Sequence, residues 1–149
     1  MESYMALIEK NHQIMQALIT LEKRINVFTL FVKEGKSHNP QVSYQDERDL
    51  LRDSMIYRFK HCVDLFWKYL KKDLEEKHLA PEIKAPAEVI RKSCSARLIT
   101  ETEAETVLNM IKDRNMTSHM YVEEIAEILA GKIPAYYKLM HSIVQRIKP

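Results

Sequence analysis

Eight residues near the chain's C-terminal third carry most of its chemical potential: Arg114, Asn115, Met116, Thr117, Ser118, His119, Met120 and Tyr121. A permanent cation, an imidazole and a phenol fall within this stretch, with hydroxyls and an amide between them. Arginine presents a planar fork of donors that matches phosphate oxygens. Histidine is the side chain best suited to moving a proton near neutral pH. A phenol can accept a covalent group or stack on a base. The set reads as a phosphate-handling site for a nucleotide or RNA. The plainer alternatives are a surface arginine paired with a neighbour such as Asp113, a structural histidine, and a tyrosine that fills an amphipathic face.

Arg114 and His119 are five positions apart, about 140° around an ideal helix, so one continuous helix would not bring them together. Convergence requires Arg114 to stand outside the helix or in its frayed first turn. Asp113, Asn115, Thr117 and Ser118 are all capping types. A helix starting here would direct free N–H groups and its positive end at an anion also met by Arg114 and His119.

The rest of the chain must position this segment. At 149 residues it is expected to be a single domain with a real core. Two glycines are too few for a turn-rich β architecture, which points to helices joined by short connections. Leu7, Ile14, Leu18, Leu21, Ile25, Phe28 and Val32 predict a helix over 3–34, ended by Gly35, with a polar loop to Asp46. A second helix is predicted over 46–77, capped by Asp46. Its apolar face is broad: Leu51, Met55, Phe59, Cys62, Phe66 and Tyr69, widened by Ile56, Val63, Trp67 and Leu70. Such breadth fits either a bundle core plus a subunit interface or a central helix in a monomer.

Residues 79–86 read as a linker with two prolines. Pro86 opens a third helix to about Leu98. Thr100 and Glu103 form a capping-box pattern for a fourth helix that reaches Asp113. The last helix is predicted over 120–147, with Ile125, Leu129, Ile133, Tyr137, Met140, Val144 and Ile147 on one side and a kink or break near Gly131 from Pro134. Eight methionines scatter through these stripes and read as core filling.

With 23 basic and 21 acidic side chains, the net charge of +2 gives no global nucleic-acid signal, so any RNA contact must be local. The apolar stretch near Ile25–Val32 is too short to span a bilayer, no signal peptide is evident, and a cytoplasmic protein is expected. Cys62 and Cys94 lack CxxC spacing and read as buried free thiols. His61 and Cys62 point about 100° apart on a helix and chelate poorly, so no metal site is expected. The chain carries no Gly-rich phosphate loop.

Arg-x4-His-x-Tyr at the head of the last helix resembles the signature of HEPN domains, and the chain more closely resembles the nucleotidyltransferase substrate-binding proteins. The likeness extends through Arg52–Phe59 and Asp64–Lys68 in the second helix, Pro86–Arg91 to Ile99 in the third, and Asp113–Tyr121 with Glu123, Glu124 and Ala126. It spans roughly residues 50–130. The family commonly has Glu in place of Asp64, an acidic residue in place of Lys60 and an aromatic near Val107, which read as packing or surface changes.

The resemblance implies an up-and-down helical bundle of about five helices that pairs as a homodimer. It also implies a cognate minimal nucleotidyltransferase acting as antitoxin. In the toxin members, the Arg and His cleave RNA without metal, and the nucleotidyltransferase attaches AMP to the signature tyrosine. Carried over, Arg114 and His119 are catalytic, Asn115 and Ser118 contact substrate or nucleotide, and Tyr121 is the modification site. No cofactor is implied. The alternative is a non-catalytic subunit that holds a nucleotide or substrate for the partner enzyme.

Overall fold

The computed structural model describes residues 2–77 and 83–149, in which five α-helices and one short three-ten helix account for the regular structure. The helices are α1 (Glu2–Glu34), α2 (Tyr44–Glu76), α3 (Pro86–Ser95), α4 (Glu101–Asn115) and α5 (Glu123–Arg146), with the three-ten turn at Met116–His119. The linker expected over 79–86 lies partly outside the described residues.

The directions of the helices follow from their side-chain pairs. Asn11 meets Tyr69, Ala17 meets Cys62 and Phe28 meets Arg48, so α1 and α2 run antiparallel. Arg48 meets Glu127, Phe59 meets Tyr136 and Tyr69 meets the Ile147 carbonyl, so α2 and α5 run parallel. Glu103 meets Arg146 and Asp113 meets Tyr136, which sets α4 against α5. The result is an up-and-down four-helix core of α1, α2, α4 and α5, with α3 as a short element between α2 and α4. One apolar cluster runs through all five helices.

α2 lies at the centre and touches each of the other four helices. Met55, Phe59, Cys62, Phe66 and Tyr69 are buried, as are Ile56, Val63 and Leu70. Its broad apolar face is therefore accounted for within one chain. Leu50 and Tyr57 remain exposed on the same helix. Cys62 donates to the Ala17 carbonyl, and burial pushes its thiol up to about 12, whereas Cys94 is only half-buried.

Local rules set most helix ends. Gly35 takes a left-handed φ of 69° and donates to the Phe31 carbonyl, closing α1. The start of α2 is Tyr44 rather than Asp46, because the Ser43 side chain accepts from the Asp46 N–H and acts as the cap. At α4 the capping box is complete: Thr100 Oγ1 accepts from the Glu103 N–H, and Glu103 accepts from the Thr100 N–H.

Three further expectations need correction. Phe31, not Val32, is the buried residue near the end of α1, where it stacks on Tyr44 at 5.0 Å while Val32 faces outward. α3 stops at Ser95 rather than Leu98. There Arg97 adopts a left-handed φ of 61°, its N–H bonds the Cys94 carbonyl and the Leu98 N–H reaches back to Ser93. Finally, α5 runs unbroken through Pro134.

Candidate functional site

The signature segment does not head the last helix. Arg114 sits in the last turn of α4, the three-ten helix carries Thr117, Ser118 and His119, and Tyr121 stands in the turn before α5. The anion site expected at a helix start is therefore not formed by these residues. Their polar groups turn back on the preceding helix end: Thr117 Oγ1 donates to the Arg114 carbonyl at 2.8 Å and Ser118 Oγ to the Asn115 carbonyl at 3.2 Å. They satisfy carbonyls that α4 leaves open at its C-terminus. α5 begins at Glu123 after Val122, with no side-chain cap.

Arg114 is held from α2. Its Nε donates to Asp64 Oδ1 at 2.7 Å and its Nη2 to Asp64 Oδ2 at 2.9 Å, a two-point fork. These hydrogen bonds raise the guanidinium pKa against the opposing effect of burial. Both side chains are partly accessible, 25% for Arg114 and 34% for Asp64. Arginine carries five N–H donors. Two face Asp64, and three remain for another acceptor. Asp64 is thus no neutral surface replacement; it is the partner that fixes Arg114. Lys60 is exposed and Val107 is buried, in keeping with surface and packing roles.

Asp113, the neighbour expected to pair with Arg114, is engaged elsewhere. Tyr136 donates to its Oδ2 at 2.5 Å and Lys132 at 3.2 Å, both from α5. Burial, followed by the Asp113 carboxylate, pushes the Tyr136 phenol above its ordinary value. This contact ties the end of α4 to α5 directly beside Arg114.

A second set of ion pairs fixes the far side of the turn. Arg52, only 3% exposed, donates to Glu123 and to Glu127 at 2.9 Å, and Arg48 makes a two-point pair with Glu127 at 2.8 Å. Burial lowers the Arg52 pKa, but the hydrogen bonds to Glu123, Glu127 and Asp53 outweigh it and raise the net value. The Arg48 guanidinium, aided by Arg52, holds the Glu127 carboxyl down at about 2.

Between these anchors, His119 and Tyr121 face outward. Their rings lie 6.1 Å apart, tilted by 56°, and Tyr121 is 81% exposed. Tyr121 is thus no core residue. Asn115 and Ser118 are also exposed. Asn115 lines a cleft of about 240 Å³ together with Arg114, Asp64 and Trp67. His119, Ser118 and Tyr121 do not line that cleft. A larger cleft of about 810 Å³ lies at the other end of α4, beside Arg91, Arg97 and Arg146, away from the signature. Among the described residues, no helix is long and apolar enough to cross a membrane.

Sequence reasoning missed Asp64 as Arg114's partner and Arg48 and Arg52 as anchors. The usable signal was the density of charge at the start of α2, where Asp46, Glu47, Arg48, Asp49, Arg52 and Asp53 follow one another closely.

The up-and-down all-α bundle, with an Arg-x4-His-x-Tyr segment leaving the C-terminal end of its third long helix, is a HEPN-like helical fold. A match over residues 9–149 goes further: the chain belongs to the family described as nucleotidyltransferase substrate binding protein like. No curated protein matches it. Among solved structures, a protein of Thermus thermophilus is similar at 29% identity and a TM-score of 0.73, covering 91% of this chain and 99% of that one. A toxin–antitoxin with AMP-PNP aligns at 16% identity and a TM-score of 0.66, over 91% and 97% of the two chains. The tri-AMPylated Shewanella oneidensis HEPN toxin in complex with MNT antitoxin aligns at 17% and 0.65, over 90% and 95%. At those two identities the likeness is one of fold.

Proposed function

We propose that this protein is a HEPN toxin-like, metal-independent endoribonuclease that works with, and is silenced by, a cognate minimal nucleotidyltransferase. The observation that carries the reading is the pairing of a fixed Arg114 with an accessible His119 and Tyr121 on the turn that follows it. A preset cation and an accessible, solvent-facing imidazole are what phosphodiester cleavage requires.

The reaction uses the RNA's own 2′-hydroxyl. Its oxygen attacks the adjacent phosphorus, the bond to the 5′-oxygen breaks, and a 2′,3′-cyclic phosphate forms. His119 takes the proton of the attacking hydroxyl, and an acid returns one to the leaving 5′-oxygen. Arg114's remaining donors stabilise charge on the phosphorane oxygens. One chain offers one signature histidine; a homodimer with two signatures facing one cleft supplies both base and acid. Silencing follows from Tyr121. Its phenol oxygen attacks the α-phosphorus of a nucleoside triphosphate held by the partner, pyrophosphate leaves, and AMP stays on the tyrosine. An 81% exposed phenol suits a partner enzyme's active site.

The second reading is a non-catalytic subunit that presents a nucleotide or other substrate to the nucleotidyltransferase. It is favoured by the commitment of two Arg114 donors to Asp64, which leaves the residue better suited to holding a phosphate than to following it through a reaction.

The test is RNA cleavage by the purified chain in a metal chelator, with Arg114→Ala and His119→Ala alongside and intact mass used to verify the unmodified state. Cleavage by the unsubstituted chain alone supports the nuclease. An unmodified chain that leaves RNA whole removes the nuclease reading in favour of the binding subunit.

A further inference from the structure

The cleft of about 240 Å³ beside Arg114 joins apolar walls to charged and polar side chains. It opens between α2, the start of α3 and the end of α4. Trp67, Pro86 and Ile111 give it apolar walls, while Asp64, Arg114 and Asn115 supply polar groups. Trp67 is only partly buried, packed against the core while still lining the cleft. Its volume is below the roughly 300–1,000 Å³ typical of pockets for drug-sized ligands.

We propose that this cleft is a nucleobase subsite, in which one base stacks on the Trp67 indole while the phosphate attached to it lies on Arg114. The assignment rests on the reading of Arg114 as a phosphate-holding residue and extends it to the part of the substrate that Arg114 cannot recognise. Single-stranded RNA and free nucleotides are both held by stacking on aromatic faces combined with polar contacts to base edges. Trp67 supplies the face. Asn115, exposed at the cleft margin, supplies a carboxamide with both a donor and an acceptor for a base edge. Asp64 fixes two of Arg114's donors and leaves three for the phosphate. The stacking surface and the cation line one cleft, so a single nucleotide unit engages both.

Trp67 is the only tryptophan in the chain, so its fluorescence reports on the cleft directly. The experiment titrates the full-length chain with AMP, with a short 2′-O-methyl single-stranded RNA that cannot be cleaved, and with ribose 5-phosphate. The first two probes share a base and a phosphate; the third lacks the base. Quenching by AMP or by the oligonucleotide, absent with ribose 5-phosphate, is the expected result. Quenching by the oligonucleotide alone identifies an RNA residue as the occupant, and quenching by AMP alone a free nucleotide.

By equilibrium dialysis with the quenching probe, Trp67→Leu weakens binding roughly 5- to 150-fold, the range for loss of one stacked base, and Trp67→Phe restores most of it. Helical circular dichroism verifies that both variants fold. Equal quenching by ribose 5-phosphate, or no quenching by either base-containing probe, overturns the subsite. The parallel cleavage assay keeps the two ideas separate. Cleavage without a Trp67 response retains the nuclease and removes the subsite. A Trp67 response without cleavage retains the subsite and removes the nuclease.

Discussion

Replacing Asp64 with alanine tests whether the carboxylate holds Arg114 in place or holds it in check. The substitution removes two charge-assisted hydrogen bonds, at 2.7 and 2.9 Å, from a half-buried pair. Fully exposed pairs contribute about 0.2–1 kcal/mol and broken buried pairs cost about 3–5 kcal/mol. A pair that is 25% and 34% exposed lies toward the lower end, about 1 kcal/mol. For a chain of this size, that lowers the melting temperature by about 2–4 °C. The effect on chemistry is separate. An unmoored arginine must be ordered again at each turnover, which costs about 0.5–1.5 kcal/mol for one flexible side chain. Rate therefore falls about 2- to 12-fold, at about 1.4 kcal/mol per tenfold. Removing a negative charge beside the phosphate acts in the other direction on affinity, so KM stays level or falls. Asp64→Asn keeps one acceptor and should lie between the wild type and Asp64→Ala. The assay is chelator-treated RNA cleavage under saturating and limiting substrate, with thermal unfolding of each variant. An increase in kcat for Asp64→Ala would refute the reasoning, since it would mean that Asp64 withholds Arg114 from the reaction.

The remaining predictions address the turn and its anchors. His119→Ala should lower RNA cleavage by about 10²–10⁴-fold with an unchanged melting temperature, because the imidazole is exposed and supports no core contact; residual full activity would remove His119 from the mechanism. Tyr121→Phe should block the mass increase of AMP attachment by the cognate nucleotidyltransferase, and label persisting on this variant would move the acceptor elsewhere. Glu127 carries a pH signature. Its carboxyl is lowered from an ordinary 4.5 to about 2 by Arg48 and Arg52, so its stabilising contribution is present above pH 4.5 and is lost as pH falls toward 2. Glu127→Gln should lower stability at neutral pH and flatten the acid limb across that window, measured by denaturant unfolding at several pH values. An acid limb as steep as that of the wild type would contradict this.

The parts of the molecule governed by neighbours along the chain were readable in advance. Thr100 and Glu103 are three residues apart and cap α4 as their types require, Gly35 closes α1, and the apolar stripes of α2 and α5 are largely those buried. The signature was legible as chemistry but not as geometry. Asp113, Asn115, Thr117 and Ser118 are capping types, which argued for an earlier start to the last helix. Thr117 and Ser118, however, bond backward to α4 and draw the chain into a three-ten turn. Arg114's partner lies fifty positions away, at a distance that no local pattern encodes. Asp113 was the better guess by proximity in sequence, but Tyr136 and Lys132 claim it from a helix that folds back alongside. Arg97 could not be anticipated either, since a left-handed residue is expected to be glycine or asparagine.

The turn bearing His119 and Tyr121 is staked at both ends to α2, by Asp64 on one side and Arg52 on the other, about 18 Å apart at about 1.5 Å of rise per residue. His119 and Tyr121 thus take no part in the ion pairs that fix the turn, whereas Arg114 is both an anchor and a proposed phosphate-binding residue. A lineage can lose its imidazole or phenol in a single substitution and still inherit an intact bundle. The proposed nuclease and the alternative binding subunit would then differ by two exposed side chains carried on one frame.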